Sequence, residues 1–271
     1  MDLATLCRRI RMPEEVTAIL ISMEKQIAFP CLDPLRIPGQ WEDGLQEVKA
    51  ALREDPDGFK MLLCMLRCAV TCWEDYAQLG ISEEIYFDTM ACFSRFVGEH
   101  KTSFGRYGFD RDFWTVRQVS AVLFRIGELE YELLEEKGQK VVSLHIPSDC
   151  RLELPRLRKS WEEAKNLISE KFPDFADVPY VCTSWLLSPD LPKMLPENSR
   201  ILAFQQAFTL KETYPDPEFK EWVYKRTDIA DTDLPEDTTL QRRLKAFLLA
   251  GNTFHSGFGI LHRDPFVQTP T

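Results

Sequence analysis

The sequence predicts an α+β protein, with an all-helical N-terminal domain over residues 1–112 and a mixed-sheet domain over 113–271. Three observations carry this reading. Apolar residues recur at helical spacing as far as Val97. The period turns strand-like just beyond Trp114. After that, strand-like and helix-like segments follow one another to the end of the chain.

The helical part is predicted element by element. Pro13 suits the first position of a helix, with Glu14 and Glu15 at the dipole's positive end, and Val16, Ile19, Leu20 and Met23 follow at helical spacing. The segment 30–40 carries three prolines and a glycine and reads as a loop. Trp41, Leu45, Val48 and Leu52 mark an amphipathic helix that stops near Asp55-Pro56. Residues 58–79 are almost wholly apolar apart from Arg67, so this helix is expected to be central. Gly80 ends it, and Ser82 with Glu83 and Glu84 starts a further helix holding Ile85, Phe87, Cys92, Phe93, Phe96 and Val97. The stretch 101–110, with three aromatics and two glycines, reads as a turn between domains.

Two strand-like runs, 121–133 and 140–146, are joined by a charged turn at Glu136-Lys137-Gly138, giving an antiparallel hairpin. A helix is expected over 155–171 with Pro155 at its first position and Leu154 as the cap. A strand over 179–187, a helix near 198–208, a short strand at 209–212, a segment at 217–226, a helix over 239–250 and a strand over 253–261 complete the order. The acidic stretch 227–238 reads as a loop.

Composition excludes several classes of partner. The chain has 271 residues, 44% hydrophobic and 28% charged, which suits a folded globular protein. With 43 acidic against 33 basic side chains the net charge is −10, which repels nucleic acids and anionic membranes. Cys64, Cys68 and Cys72 repeat every four residues along one helix stripe, and no CxxC pair or zinc-finger spacing occurs. The eight cysteines are therefore read as buried free thiols with no metal, as suits a reducing compartment. Neither a secretory leader nor a membrane span is expected, and the location read from this is cytoplasmic.

The segment Ser143 to Asp149 and its sequel hold the chemistry. A strand runs out at Ile146, Pro147 breaks it, and the next helix starts near Pro155 with its first N–H groups pointing into the loop. Arg151, Arg156, Arg158 and Lys159 against Glu153 concentrate positive charge there. A phosphate ligand fits this place, and an ordinary solvated helix face is the other reading. Ser148 and Asp149 either orient that ligand or make a turn. His145, near the strand end, can take a proton near neutral pH, or it can be a strand histidine bonded to its neighbours. Ser184 lies in the next strand beside Trp185 but lacks the glycine-flanked elbow of serine hydrolases. Trp185 reads as core, and His255 and His262 read as surface residues. No P-loop, dinucleotide fingerprint, HExxH or kinase motif occurs.

The helical first half, followed by LFRIGELEYE (123–132), SLHIPSD (143–149) and the segment 182–208, resembles a bacterial acyltransferase-domain family. Its members join a helical N-acyltransferase-type N-terminal domain to a GNAT-like C-terminal domain. The resemblance covers nearly the whole chain. It implies a mixed sheet and an N-acyltransferase that moves an acyl group from acyl-CoA or acetyl-CoA to an amine acceptor, with no metal. It also places the donor's pyrophosphate at Ile146 to Arg156, so that Ser148, Asp149, Arg151 and Arg156 are the expected donor-binding residues. His145 and Ser184 are then the expected catalytic pair, with His145 as base. Set against the family's pattern, the loop carries no glycine, Thr183 stands where a histidine commonly precedes the Ser-Trp pair, and Ser199 is followed by Arg200. A non-catalytic binding or scaffold protein that keeps the fold is the alternative.

Overall fold

The computed structural model describes residues 1–136 and 138–267. The chain divides into two compact units, Met1–Arg125 and Ile126–Thr271. The first is helical: α1 (Leu3–Arg9), α2 (Glu14–Glu24), α3 (Trp41–Leu52), α4 (Phe59–Gln78), α5 (Glu83–Met90), α6 (Cys92–Phe104) and α7 (Asp112–Val119). Side-chain caps begin two of them, Asp2 accepting from the Thr5 amide and Ser82 from the Ile85 amide. Pro13 is the cap of α2 and not its first helical residue.

The central helix is α4, as expected, and Cys64, Cys68 and Cys72 are buried along it as free thiols. Burial pushes Cys64 and Cys68 up to about 12, and raises Cys72 further. The single helix expected after Ser82 is two, because the chain tightens at Ala91 (ψ −13°) between Met90 and Cys92. The helical part also runs past residue 112. A 2.6 Å ion pair from Lys49 to Asp112 and a 3.0 Å hydrogen bond from Trp41 to Ser120 tie α7 to α3.

The strands are β1 (Leu123–Ile126), β2 (Leu129–Glu136), β3 (Gln139–His145), β4 (Tyr180–Ser184), β5 (Phe208–Pro215) and β6 (His255–Leu261). The helices of the second unit are α8 (Leu154–Lys171), α9 (Arg200–Gln205), α10 (Phe219–Tyr224) and α11 (Thr239–Leu249). The expected run 121–133 is broken at Gly127, whose φ of +60° turns the chain between β1 and β2. Of the charged turn at Glu136-Lys137-Gly138, Lys137 lies outside the described residues. The predicted strand 179–187 ends at Ser184, where the chain winds into a 3₁₀ turn over Trp185–Leu187.

The sheet order is β1-β2-β3-β4-β6-β5. β2 and β3 are antiparallel, β4 and β6 likewise, and β6 and β5 likewise. β3 and β4 are parallel, in register through Val142↔Tyr180 and Ser143↔Val181. The sheet is therefore mixed, with one parallel seam near its middle. Tyr131 on β2 meets Ser160 of α8 through a 3.0 Å hydroxyl contact, so α8 covers the face that carries Tyr131 and, by register, Leu144. On that same side α8 also secures the β1–β2 turn: Ser160 donates to the Ile126 carbonyl and accepts from the Leu129 amide.

Candidate active site

The parallel seam decides where a site can form. Register holds at Ser143↔Val181, and the carboxyl ends of both strands run on beyond it. Past that pair, Cys182, Thr183 and Ser184 take their partners from β6 instead, opposite Gly259, Phe258 and Gly257. A crevice at the carboxyl ends of neighbouring parallel strands is where open α/β sheets place ligands. His145 ends β3 and Ser184 ends β4, so the two expected catalytic residues stand at this same end.

Their surroundings differ. His145 Nε2 lies 2.8 Å from Glu132 Oε2, and the Glu132 side chain is 3% exposed. The pairing Glu132↔Ser143 puts both residues, and His145 two positions on, on the face away from α8. Glu130, directly opposite His145, is buried on the same face. Ser184 points to the other face, and its hydroxyl accepts the Leu186 amide at 3.1 Å, capping the 3₁₀ turn. The structure therefore gives Ser184 a capping role. Trp185 packs against the cluster of Leu191, Met194 and Phe254, which agrees with a core role.

The loop after His145 is largely engaged with itself. Ser148 and Asp149 are the centre of a turn closed by the Cys150 amide on the Pro147 carbonyl at 2.9 Å. The Arg151 amide donates to Glu128 at 2.8 Å. Arg156 holds Glu128 and Glu153, each at 3.1 Å, and Arg200 reaches Glu153 at 3.3 Å. Glu153, not Leu154, is the cap residue of α8, and its side chain makes no capping bond to the helix start. Of the expected basic side chains, Arg156 meets these two carboxylates, whereas Arg158 pairs with Glu162 and Asp264 and Lys159 with Glu163.

A second imidazole stands at the same end of the sheet. β6 runs antiparallel to β4 with Gly257 opposite Ser184, so His255 lies just beyond the carboxyl end of β4 and on the α8 side. His255 Nδ1 is 3.5 Å from Asp190 Oδ2. Sequence reasoning missed Glu132, Glu128, Asp190 and His255. The signal for the first two was present: Glu128, Glu130 and Glu132 alternate through a run whose other positions are apolar. Among the described residues no group of three or more His, Cys, Asp or Glu is placed to hold a metal ion. No helix among them is long and apolar enough to cross a membrane.

The family model described as the GNAT-like C-terminal domain matches residues 123–261, and the N-acyltransferase N-terminal domain matches residues 1–121. The chain belongs to the GNAT-like family. Both expected domains are thereby found, and the GNAT-like part contains the seam, both imidazoles and the head of α8. No curated protein matches the chain. Among solved structures, it is similar to an acyltransferase in complex with decanoyl-CoA, at 23% identity and a TM-score of 0.71, covering 96% of this chain and 99% of that one. An acyltransferase in complex with decanoyl-CoA and teicoplanin aligns at 21% identity and 0.70, again over 96% and 99%. A third, an acyltransferase mutant in complex with octanoyl-CoA, aligns at 21% and 0.69 over 97% and 100%. These likenesses establish a shared fold over 96–97% of this chain.

Proposed function

We propose that this protein is an N-acyltransferase that moves an acyl group from acyl-CoA to an amine acceptor. The observation that carries it is the open seam between β3 and β4, with the carboxylate-backed His145 at its mouth, in a GNAT-like domain. Fold neighbours hold decanoyl-CoA and octanoyl-CoA, which supports a medium-chain thioester as donor. One neighbour also holds teicoplanin, which supports a large amine-bearing acceptor.

In this reading the thioester lies in the seam and the donor's phosphates meet the 146–156 loop at the head of α8. Arg156 is half exposed, so exchanging its carboxylate partners for a phosphate costs little. Arg151, Ser148 and Asp149 flank that place. His145 receives a proton from the acceptor's ammonium on the face away from α8, and Glu132 fixes the ring and balances the imidazolium that forms. The rest of the rate comes from holding amine and thioester in contact. Ser184 serves as a structural cap beside them. The free thiols and the bacterial family resemblance support a bacterial cytoplasmic setting.

Thermal unfolding with decanoyl-CoA, alongside free thiol release with a panel of primary amines, tests this. Donor at a hundred times its Kd adds about 2.7 kcal/mol of stability. Protection together with amine-dependent thiol release is expected. Protection without release favours a non-catalytic binding protein, and the absence of both removes the acyl-CoA reading.

A further inference from the structure

Two histidine–carboxylate pairs flank the carboxyl end of β4, and the reading above uses one. His255 and Asp190 form the other pair. His255 Nδ1 faces Asp190 Oδ2 at 3.5 Å, and that oxygen is buried with no hydrogen bond. The other carboxylate oxygen of Asp190 takes Lys193 at 3.1 Å. The backbone holds the aspartate in place, since the Asp190 amide donates to Ser188 Oγ and Gln205 grips the Ser188 carbonyl. Among the described residues nothing bonds His255 Nε2, and the side chain is 37% exposed. A buried carboxylate behind one ring nitrogen and an open position at the other is the arrangement that moves protons in acyl transfer. Such contacts are often long without substrate and shorten when it binds.

The stoichiometry of the proposed reaction leaves a task for it. An ammonium that becomes an amide loses two protons, one before attack and one as the intermediate collapses. His145, on the face away from α8, accounts for the first.

We propose that His255, positioned by Asp190, carries the second proton from the acceptor nitrogen to the departing sulfur. This rests on the acyl-transfer reading. The amine lone pair forms the C–N bond at the thioester carbonyl. His255 Nε2 takes a proton from that nitrogen, the C–S bond breaks with its electron pair on sulfur, and the imidazolium returns the proton to give the CoA thiol. The first ammonium proton has already left through His145 to solvent, so atoms and charge balance. The placement agrees with this division. His255 lies on the α8 side, where the donor is expected, and His145 on the opposite face.

The pH dependence of decanoyl-CoA turnover with primary amines separates the two roles. The charged groups around His255 are Asp190, Lys193 and Asp216, the last holding Ser256 on the neighbouring strand position. Around His145 they are Glu132 and Glu130. A rising pH deprotonates the free amine and removes the need for His145, but it does not supply the second transfer. The H145Q deficit is therefore expected to shrink at high pH, while H255Q stays down by about a hundredfold in kcat with KM for decanoyl-CoA unchanged. D190N is expected to lose about tenfold in kcat. Its KM for decanoyl-CoA is expected to stay at the parent value, because the aspartate acts through the imidazole and not on the donor. H255Q at the parent rate, an H255Q deficit that vanishes with pH as in H145Q, or D190N at the parent kcat overturns the assignment. A parent protein that is protected by decanoyl-CoA and still transfers to no amine overturns the acyl-transfer reading, and this inference with it.

Discussion

His145 Nε2 and Glu132 Oε2 meet at 2.8 Å across two strands, with the carboxylate almost wholly shielded from water. The hairpin register creates the contact: Glu132 is opposite Ser143, one diagonal step from His145. A carboxylate held this way fixes which ring nitrogen carries the proton. Glu132→Gln is expected to lower kcat about tenfold, and His145→Ala to lower it further, with CoA affinity nearly unchanged in both. Steady-state kinetics with titration calorimetry checks the split. Equal losses of affinity and turnover would remove His145 from the chemistry.

The head of α8 makes an opposite prediction for charge. Glu128 neutralises Arg156 and accepts the Arg151 amide, so it competes with any phosphate there. Glu128→Gln is expected to tighten CoA binding by a few-fold, whereas replacing Arg151 and Arg156 by Ala weakens it and flattens its salt dependence. Calorimetry at two ionic strengths reads both. Indifference to all three changes would move the donor phosphates elsewhere.

Ser160 supplies a stability test. Its buried hydroxyl serves the Ile126 carbonyl, the Leu129 amide and Tyr131 together. Ser160→Ala removes this buried hydrogen-bonding hydroxyl and is expected to cost about 2 kcal/mol. A urea midpoint equal to the parent's would contradict that.

The α4 thiols give a pH prediction. Burial holds Cys64 and Cys68 at about 12, above the ordinary thiol value of 9.0. The unfolded chain therefore loses these protons first as pH rises. The stabilisation is complete below about pH 8.5, declines through the interval above it, and is gone beyond the folded values. Denaturant unfolding from pH 7 to 10 is expected to show falling stability, and native protein to expose Cys31 and Cys150 to a thiol reagent well before the α4 cysteines. Rapid labelling of Cys68 would refute the burial argument.

Local chemistry explains what was legible in the sequence. Pro147 and Pro155 announce a strand end and a helix start within a few residues, so the loop between them could be read without coordinates. The succession of strands and helices along the second unit was readable for the same reason, as each segment carries its own period and punctuation. The partners of the two imidazoles were not. Glu132 reaches His145 through a hairpin register, and Asp190 reaches His255 through a turn after β4 and the return of β6. Neither relation leaves a mark in residue spacing. Glu128 was read as one more strand residue, because the break at Gly127 that turns its carboxylate toward Arg151 depends on a single positive φ.

The brevity of the parallel pairing has a mechanical meaning. Two residue pairs join the β2–β3 hairpin to the β4–β6–β5 group, a thin weld between two antiparallel blocks. A thioester seated at its end would act as a keystone, coupling occupancy of the donor site to the cohesion of the sheet. Slowed hydrogen exchange at the amides of Val142 and Ser143 on adding decanoyl-CoA would register that coupling, and the departure of CoA would loosen the joint each time the product leaves.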